Sequence, residues 1–383
     1  MNKLATASRE TTASSRRRAI VEGILQQGGI TIGGDRPWDL KVHDSRFFRR
    51  VLSDGALGLG ESYMEGWWDA EQLDEFFFRL LGIDLASVSM PWRRKLTVLL
   101  DQVVNRQSTS RAYVIGERHY DRGNDLFQIM LDRRMTYTCG YWKNANNLDE
   151  AQEAKLDLVC RKIGLQPGER VLDIGCGWGS FLKFAAENYG ASGVGVTVSE
   201  EQVALAREMC HGLPVEIRLQ DYRDVDERFD HVVSLGMFEH VGPKNYRDYF
   251  EVADRCLEDE GFFLLHTVGN TFTGRTTDPF TEKYIFPNSV VPSIQQIGKA
   301  IEKLFVVEDW HNFGADYDPT LMAWNENFEA GWPTLRDRYD DTFNRMWRFF
   351  LLSAAGSFRV RKMQLWQIVL SKRGVIGGYR SVR

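Results

Sequence analysis

The stretch ERVLDIGCGWG, residues 169–179, decides the fold class of this chain. Its first half is an apolar run typical of a buried strand, and its second half places glycines at positions 175, 177 and 179 ahead of a helical pattern. Such glycines let the backbone approach a ligand closely, and the helix N-terminus presents free N–H groups. The spacing is neither the GxGxxG of a dinucleotide-binding fold nor a phosphate loop followed by Lys-Ser or Lys-Thr. The pattern therefore indicates a ligand-binding turn and disfavours NAD and ATP.

Strands and helices alternate around this turn. The predicted helices are WGSFLKFAAENYG, SEEQVALAREMCHG and NYRDYFEVADRCLEDEG, and the strands that follow the first are SGVGVTV, PVEIRLQDY, FDHVVSLGM and FFLLHTVG. This order predicts right-handed βαβ units, and hence an α/β fold with a parallel, Rossmann-like sheet and helices on both faces. In such a sheet the ligand lies at the carboxyl ends of the strands, so the residues there are the candidate site residues.

The composition is that of a globular protein rich in aromatic residues. The chain has 383 residues, a formal net charge of −5 and 12 % aromatic residues. The length favours two domains, because single cores rarely grow beyond roughly 250–300 residues. No apolar run approaches the roughly 20 residues of a membrane span, and the start lacks the apolar core of a secretion signal. Five widely spaced cysteines without a CxxC pair argue against a zinc site or a disulfide framework and favour the cytoplasm.

Four segments are expected along the chain. Residues 1–18 hold five basic residues against one acidic residue, and many Ser and Thr, which predicts a disordered arm. Residues 19–100 show helical periodicity punctuated by glycines, which predicts a small, mainly α module. Residues 101–122 contain the polar stretch NRQSTSR and are predicted to be a linker, and residues 123–383 are predicted to form the catalytic α/β domain. The locally basic stretch 91–118 is open to two interpretations, a solvated tether or a contact with an anionic surface.

The glycine-rich turn, together with the acidic residue that ends its strand, resembles the S-adenosylmethionine (SAM) loop of class I methyltransferases. Asp173 stands two residues before the first glycine, where a carboxylate suits a ligand with a cationic group. The resemblance implies that SAM is bound by Asp173, Gly175, Cys176, Gly177, Trp178 and Gly179.

The next two strand ends complete the expected cofactor site. This superfamily usually ends its second strand with an acidic residue that binds the ribose hydroxyls, whereas this chain has Thr197. We therefore expect Thr197 and Gln202, one helical turn further on, to hold the ribose. The third strand ends in Gln220, Asp221 and Tyr222, where the tyrosine ring can pack on adenine and a polar neighbour can read its amino group.

The fourth and fifth strands end in residues suited to acid–base chemistry. Glu239 and His240 follow the fourth strand, and His266 lies near the end of the fifth. The Asn/Asp-Pro-Pro-Tyr-like motif of DNA and amine methyltransferases does not occur near this point of the sequence. A lone histidine on an apolar strand is often a core residue, but two histidines and a carboxylate around a methyl donor predict a reaction site.

Motifs along nearly the whole chain resemble the cyclopropane fatty acid synthase and mycolic acid cyclopropane synthase family. They are, in order, GLGESYMEGWW (58–68), HYD (119–121), Asn124-Asp125, MTYTCGYW (135–142), the SAM loop, GMFEHVG (236–242), YIFP (284–287) and WHNFGADY (310–317). The segment 58–68 belongs to the N-terminal module that the bacterial phospholipid enzymes of this family carry.

The resemblance implies that a cis double bond in a phospholipid acyl chain attacks the methyl group of SAM. The resulting carbocation loses a proton from the new methyl group, which closes a cyclopropane ring. An alkene is a poor nucleophile, so catalysis must rely on proximity and on the exclusion of water. Aromatic rings suit such a site because their faces attract cationic character without attacking it. The candidate aromatic residues are Tyr284, Phe286, Trp310, Phe313 and Trp324.

The resemblance also implies that a bound bicarbonate takes the proton. The matching residues are Cys139, Glu239, His266 and Tyr317, with help from the backbone near Val268. Because two bare anions repel, Glu239 would have to share a proton with the bicarbonate or orient it through His266.

Two further positions bear on the expected mechanism. Tyr137 and Thr138 match the SAM-contacting segment of the family, with Thr in place of the more usual Ser. Some relatives carry a cysteine in the C-terminal helix where this chain has Ala354 and Ala355, which excludes covalent catalysis there. We interpret Cys139 as an anion-site residue and not as a nucleophile.

Three alternatives to a cyclopropane synthase stay open at this point. One is a lipid C-methyltransferase that stops at a methyl or methylene branch, and another is a non-enzymatic carrier of SAM or lipid. Nucleic-acid methylation is disfavoured by the net charge of −5 and the missing target-base motif. The expected partner is unsaturated phospholipid, met at the inner leaflet of the cytoplasmic membrane by a peripheral, cytoplasmic protein. Since relatives are often dimers, a homodimer is a further expectation.

Overall fold

The computed structural model describes residues 2–83, 123–274 and 276–383, and the side chains of residues 2–13 are not part of that description. The predicted linker 101–122, the end of the predicted helical module (84–100) and the basic stretch 91–118 lie outside the described residues.

The described N-terminal residues, 2–83, form three helices and a two-stranded sheet. The elements are α1 (Asn2–Gln27), β1 (Lys41–Val42), α2 (Arg46–Met64), β2 (Trp68–Asp69) and α3 (Leu73–Gly82), with β1 and β2 antiparallel. The indole ring of Trp68 lies at their centre, 6.2 Å from the ring of Phe47 and 5.1 Å from that of Phe76. The Trp68 indole N–H donates to the carbonyl oxygen of Leu59 at 3.1 Å, so the buried ring also satisfies its one polar atom.

Helix α1 differs from the disordered arm that the sequence predicts for residues 1–18, because it begins at Asn2. The segment contains neither glycine nor proline, and its Ala and Arg residues are good helix formers. Arg18 and Glu22, one helical turn apart, form an ion pair of 2.8 Å. A polar segment that continues an apolar helical pattern can extend the helix, and the composition argument overlooked this.

The α/β domain is built on a seven-stranded sheet. Its elements are α4 (Asn124–Met130), α5 (Leu148–Ile163), β3 (Arg170–Ile174), α6 (Ser180–Tyr189), β4 (Ser192–Thr197), α7 (Glu200–Met209), β5 (Val215–Leu219), β6 (His231–Leu235), α8 (Tyr246–Cys256), β7 (Phe262–Asn270), α9 (Pro279–Tyr284), α10 (Ile294–Ile301), β8 (Val306–Asn312), α11 (Tyr317–Leu335), α12 (Asp341–Arg359) and β9 (Met363–Ser371).

The strand order in this sheet is β5-β4-β3-β6-β7-β9-β8. Strands β3 to β7 are parallel to one another, as the βαβ pattern predicts, and β9 runs antiparallel between β7 and β8. The sequence analysis did not predict β8 and β9. Strand β9 places Gln367 opposite His266 and Leu365 opposite Val268, so it supports the end of β7 that bears two of the candidate residues.

Alternate residues of the parallel strands enter two separate cores, one on each face of the sheet. Leu172 and Val232 belong to one core, whereas their neighbours Val171 and Val233 belong to the other. Burial on both faces is typical of parallel strands covered by helices. The predicted α/β fold with helices on both faces is thereby confirmed.

Helix α12 joins the N-terminal module to the α/β domain. The ring of Phe349 lies 4.9 Å from Phe77, 5.8 Å from Tyr63 and 4.5 Å from Phe280. At the end of the same helix, the Arg359 guanidinium donates to Asp74 of α3 at 2.8 Å. The described part of the predicted module therefore shares one hydrophobic core with the α/β domain.

Two further findings concern the chain as a whole. Among the described helices, none combines the length and the apolar character needed to cross a bilayer. All five cysteines lie within the described residues, and each is a buried free thiol.

Candidate active site

The glycine-rich turn lies between β3 and α6 and is tied to the neighbouring strand. The backbone N–H groups of Gly175 and Cys176 donate to the carbonyl oxygen of Val196 at 3.0 and 3.1 Å. Gly175 has φ +82°, and a Cβ there would lie 2.6 Å from the Cβ of Met237, so both its conformation and its surroundings require glycine. A Cβ on Gly177 would meet no atom within 4 Å, which leaves the backbone open toward a ligand.

A cavity at the carboxyl ends of β3, β4 and β5 collects almost all the residues predicted to bind the cofactor. Those that line it are Tyr137, Thr138, Asp173, Gly175, Cys176, Gly177, Trp178, Thr197, Gln202, Gln220, Asp221 and Tyr222. Gly179 does not line the cavity. It begins α6 with φ +78°, and a Cβ there would lie 3.0 Å from Cys210 Sγ, so this glycine serves the turn and its packing.

Asp173 supplies a buried carboxylate to this cavity. Its side chain is 2 % exposed, and Oδ1 has no hydrogen-bond partner among the residues that the structure describes. Burial raises the pKa of Asp173 to about 7, and the positive charge of Lys155 opposes that rise. A ligand that brings a cationic group to Oδ1 would stabilise the carboxylate and satisfy the unpaired oxygen.

The ends of β4 and β5 present a mixture of polar and aromatic groups. The Thr197 hydroxyl donates to Gln202 Oε1 at 2.8 Å, so the two residues predicted to hold the ribose are joined to each other. Asp221 accepts hydrogen bonds from the Arg223 guanidinium at 2.8 and 2.5 Å. Arg223 also lines the cavity and lies 5.5 Å from the ring of Tyr222. The sequence analysis missed this arginine, which neutralises the carboxylate beside the predicted adenine position.

Glu239 lies in a short 3-10 turn, Phe238–His240, directly beyond β6. Its Oε1 accepts the backbone N–H of Val268 at 2.6 Å, whereas Oε2 has no partner among the described residues. Burial raises the pKa of Glu239 to about 7, although the hydrogen bond from Val268 lowers it. The carboxyl group can therefore be either protonated or charged near neutral pH.

His266 is a buried, neutral imidazole on β7. Burial holds its pKa well below the usual value, and the positive charges of Lys155 and Lys162 add to this effect. Its Nδ1 lies 3.3 Å from the Nε2 amide group of Gln367 on β9, and its Nε2 has no partner in the part of the chain that is described. With Nδ1 accepting the amide hydrogen, the ring carries its own proton on Nε2.

Cys139 and Tyr317, the other two side chains of the predicted anion site, do not line the cofactor cavity. Cys139 Sγ donates to the carbonyl oxygen of Gly140 at 3.2 Å, and burial raises the pKa of this thiol well above its usual value. The protonated thiol is a poor nucleophile. Cys139, Val268 and Tyr317 pack in one small cluster with Phe313, whose ring lies 5.9 Å from that of His266.

Thr320 connects the segment that bears Cys139 to α11. Its hydroxyl oxygen accepts the backbone N–H of Gly140 at 3.1 Å and the indole N–H of Trp142 at 2.8 Å, and its own hydroxyl hydrogen goes to the Asp316 carbonyl. The sequence analysis missed Thr320. The available signal was its position one helical turn after Tyr317, on a face that carries buried apolar residues.

The candidate aromatic residues do not all lie in the same region of the structure. The ring of Tyr137 lies 5.1 Å from Trp324 and 6.5 Å from Phe286, and these rings line the same core beside the cofactor cavity. Tyr284 packs against this core as well. Trp310 is different, because it lies on β8 against Trp366 at 5.3 Å and packs on the sheet core. The prediction that Trp310 surrounds the substrate is therefore not supported by its position.

Helix α5 supplies two further side chains to the site that the sequence analysis missed. Gln152 and Lys155 are fully buried, and Lys155 lines the cofactor cavity. Both stand one turn apart on a face otherwise occupied by Ala151, Leu156 and Val159. The sequence analysis did not predict α5, and a helical pattern with polar residues on its apolar face was the signal that could have found them.

Comparisons with known proteins agree with this architecture. The family model described as mycolic acid cyclopropane synthetase matches residues 107–368. The cyclopropane-fatty-acyl-phospholipid synthase of Escherichia coli (strain K12) is 53 % identical over 366 residues, 95 % of each chain. The tuberculostearic acid methyltransferase UfaA1 of Mycobacterium tuberculosis is 33 % identical over 85 % of this chain and 81 % of its own length.

Solved structures show the same relationship. The cyclopropane synthase MmaA2 from Mycobacterium tuberculosis is 29 % identical and superimposes with a TM-score of 0.64 over 68 % of this chain and 98 % of its own. The mycolic acid cyclopropane synthase CmaA1, solved in complex with SAH and CTAB, is 30 % identical and has the same TM-score and coverage. From the matched family model and the near full-length similarity to the Escherichia coli enzyme, we conclude that the chain belongs to the mycolic acid cyclopropane synthetase family of SAM-dependent methyltransferases.

Proposed function

We propose that this enzyme transfers a methylene group from SAM to the cis double bond of an unsaturated phospholipid acyl chain, and that a bicarbonate ion beside Glu239 and His266 receives the proton lost on ring closure. Family membership supports the overall reaction. One observation carries the detail of the site, which is that Glu239 Oε2 and His266 Nε2 are both buried and lack a partner among the described residues. Two such atoms at neighbouring strand ends call for a small polar ligand.

The residues around the cavity fit SAM. When bound, SAM supplies an electrophilic methyl group on a sulfonium. Asp173 offers a carboxylate to a cationic group, and the open backbone at Gly177 offers close approach. Thr197 and Gln202 place two polar side chains at the end of β4, and Tyr222 places a ring at the end of β5. These groups together bind and orient the donor, which converts a weak nucleophile into an effective one through proximity.

The residues around Glu239 fit bicarbonate, which supplies a base when bound. His266 Nε2–H can donate a hydrogen bond to an anion, and a protonated Glu239 can donate another without repelling it. The Val268 N–H already donates to Glu239 Oε1. We therefore propose that Val268 holds the carboxyl group in position and does not bind the ion directly, which revises the role expected from the resemblance.

Exclusion of water is the remaining requirement for a carbocation route. Cys139 and Trp324 are almost wholly buried, and Phe313 is 6 % exposed. The rings of Tyr137, Trp324 and Phe286 form a continuous aromatic surface between the cavity and α12. Such a surface has no strong nucleophile, so the cation survives until its proton is removed.

We also propose that the protein meets its lipid substrate at the membrane surface from the inner leaflet, and that it works as a homodimer. The basic stretch 91–118 supports the first part, because cationic residues are attracted to anionic lipid. Flotation with anionic and with zwitterionic vesicles tests the membrane contact, and light scattering tests the dimer.

The overall reaction is tested with vesicles of a phospholipid that contains cis-unsaturated acyl chains. Incubation with SAM and the enzyme is expected to add one CH₂ per modified chain, measured by mass spectrometry. A cyclopropane product resists mild hydrogenation, whereas a methylene-branched product takes up hydrogen. If the product takes up hydrogen, the enzyme is a C-methyltransferase that does not close a ring. If the lipid gains no mass, a non-enzymatic carrier is favoured.

Replacing Asp173 with Asn is expected to weaken SAM binding by about 10- to 100-fold, because hydrogen bonds to charged groups contribute about 1.5–3 kcal/mol. Isothermal titration calorimetry with SAM at pH 8 measures this loss. Asp309→Asn is the control, since Asp309 on β8 is also a buried carboxylate, pairs with Lys162 and Arg383, and does not line the cavity. If both variants bind SAM like the native enzyme, Asp173 does not contact the cofactor.

A further inference from the structure

Lys155 of α5 is a buried ammonium group that the reaction described so far does not use. Its side chain is fully buried, and Nζ donates to the hydroxyl oxygen of Thr138 at 2.7 Å. Among the described residues, no carboxylate lies within ion-pair distance of Nζ. Burial of a charge without a close counter-ion destabilises the folded protein. A buried lysine in the wall of a cavity therefore suggests that its charge has a function there.

The hydrogen bond to Thr138 is one of several that hold the segment 136–141 on α5. Gln152 Nε2 donates to the carbonyl oxygens of Thr138 at 2.7 Å and of Thr136 at 3.3 Å. The backbone N–H of Tyr141 donates to the Ala151 carbonyl at 2.8 Å. This segment carries three predicted site residues, so α5 acts as its support.

Thr138 is confined on its other side by the end of β6. A Cβ on Gly236 would lie 2.6 Å from Thr138 Cγ2, which shows how closely the threonine approaches this backbone. The hydroxyl of Thr138 is held by Lys155 while its methyl group faces Gly236. A shift of the lysine would therefore move a side chain that lines the cofactor cavity.

Four titratable groups from four elements face the Lys155 ammonium. They are Asp132 beyond α4, Cys139 in the supported segment, Asp173 at the end of β3 and His266 on β7. Asp132 is itself engaged, since it accepts the backbone N–H of Thr136 at 2.8 Å. Asp173 is the carboxylate of this set that opens into the same cavity as Lys155.

We propose that Lys155 is a positioning residue of the SAM site, which fixes the Thr138 hydroxyl and whose positive charge keeps Asp173 ionised to receive the cationic cofactor. This inference rests on the proposed SAM site. A neutral residue of similar shape at this position would leave Asp173 easier to protonate and Thr138 without its donor.

The distinguishing measurement is the pH dependence of SAM affinity. Burial raises the pKa of Asp173 to about 7, so the carboxylate loses its charge as the pH falls through that value. Removal of the positive charge at position 155 raises the pKa of Asp173 further. The acidic limb of the affinity profile is then expected to move to higher pH by about one unit, which corresponds to a loss of about fivefold at pH 7 and about tenfold at lower pH.

Calorimetric titration of SAM between pH 6 and pH 9 tests this with the full chain. Lys155→Met is expected to show the shifted limb, whereas Lys155→Arg keeps the limb near its native position. Thr138→Val is expected to weaken binding, and the double variant with Lys155→Met is expected to lose less than the sum of the two single effects.

Lys162→Met is the matched control, because Lys162 is a second buried lysine two turns along α5 that pairs with Asp309 and contacts His311 instead. It is expected to leave the acidic limb in place. If Lys155→Met does not fold, Lys155→Gln, which is also neutral, provides the same measurement. The proposal would be overturned if the acidic limb of the affinity profile were unchanged in the neutral variants, or if Lys162→Met shifted it equally. Failure of the native enzyme to bind SAM would instead overturn the proposed function.

Discussion

Glu239→Gln is expected to lower the turnover number by about 10²- to 10⁴-fold, the usual contribution of a group that takes part in proton transfer. The glutamine oxygen can still accept the Val268 N–H, so the backbone link at 2.6 Å is retained while the ionisable group is lost. The side chain does not line the cofactor cavity, and SAM affinity is therefore expected to stay within about threefold of the native value. Single-turnover assays on vesicles and calorimetry with SAM measure the two quantities.

His266→Ala is expected to give a loss of similar size, because it removes the Nε2–H group that donates to the ion. His231→Ala is the control, since His231 is also buried but lies at the opposite, amino end of β6, where it pairs with Glu169. Its turnover per folded molecule is expected to be close to native. Normal turnover in both Glu239→Gln and His266→Ala would rule out the anion site.

Phe349→Ala is expected to lower the free energy of unfolding by about 3–5 kcal/mol, the usual cost of removing a buried phenylalanine ring. The side chain is 5 % exposed and contacts rings from α2, α3 and α9, so its loss opens a cavity between the N-terminal module and the α/β domain. Urea unfolding, followed by circular dichroism and by tryptophan fluorescence, measures the change.

The control for this variant is Phe272→Ala, since Phe272 is 65 % exposed and its loss is expected to change stability by less than about 0.5 kcal/mol. Because the two parts share a core, both probes are expected to report one transition in the native enzyme. Two separated transitions in the native enzyme, with Phe349→Ala near native stability, would show instead that the parts unfold independently.

The sheet could be predicted because its signal is local. The parallel strands β3, β4, β6 and β7 are short runs of mostly buried residues, and the helices α6, α7 and α8 alternate with the strands along the chain. Strands β8 and β9 could not be found in the same way, because their positions depend on pairing across the domain. Strand β9 pairs with β7 about 100 residues earlier in the chain, and this long-range pairing has no local signature.

The residues of the candidate site also fall into two groups, those with a local signal in the sequence and those without one. The glycine turn and Asp173 form one short motif, so their neighbourhood follows from a single stretch of sequence. Lys155 and Thr320 act through burial and through contacts with residues distant in sequence, which composition does not show. For Trp310 the motif was misleading. This aromatic residue belongs to a recognised motif, but it packs on the core of the sheet.

The N-terminal module illustrates why domain boundaries are hard to read. Its helices and glycines were visible in the sequence, but the partner of their apolar face was not. The rings of Tyr63 and Phe77 are covered by Phe349, nearly 300 residues later. A boundary placed by a change of local pattern therefore does not mark the limit of a hydrophobic core.

The burial of all five cysteines makes this enzyme a convenient object for site-directed labelling. Burial raises the pKa of every one of these thiols, so the native protein is expected to react slowly with maleimides. A single cysteine introduced at an exposed position, such as Leu52 on α2 or Phe272 beyond β7, would then carry a fluorophore without removal of any native thiol. Quenchers placed at known depths in a bilayer could report which face of the enzyme touches lipid, with the catalytic residues left as they are.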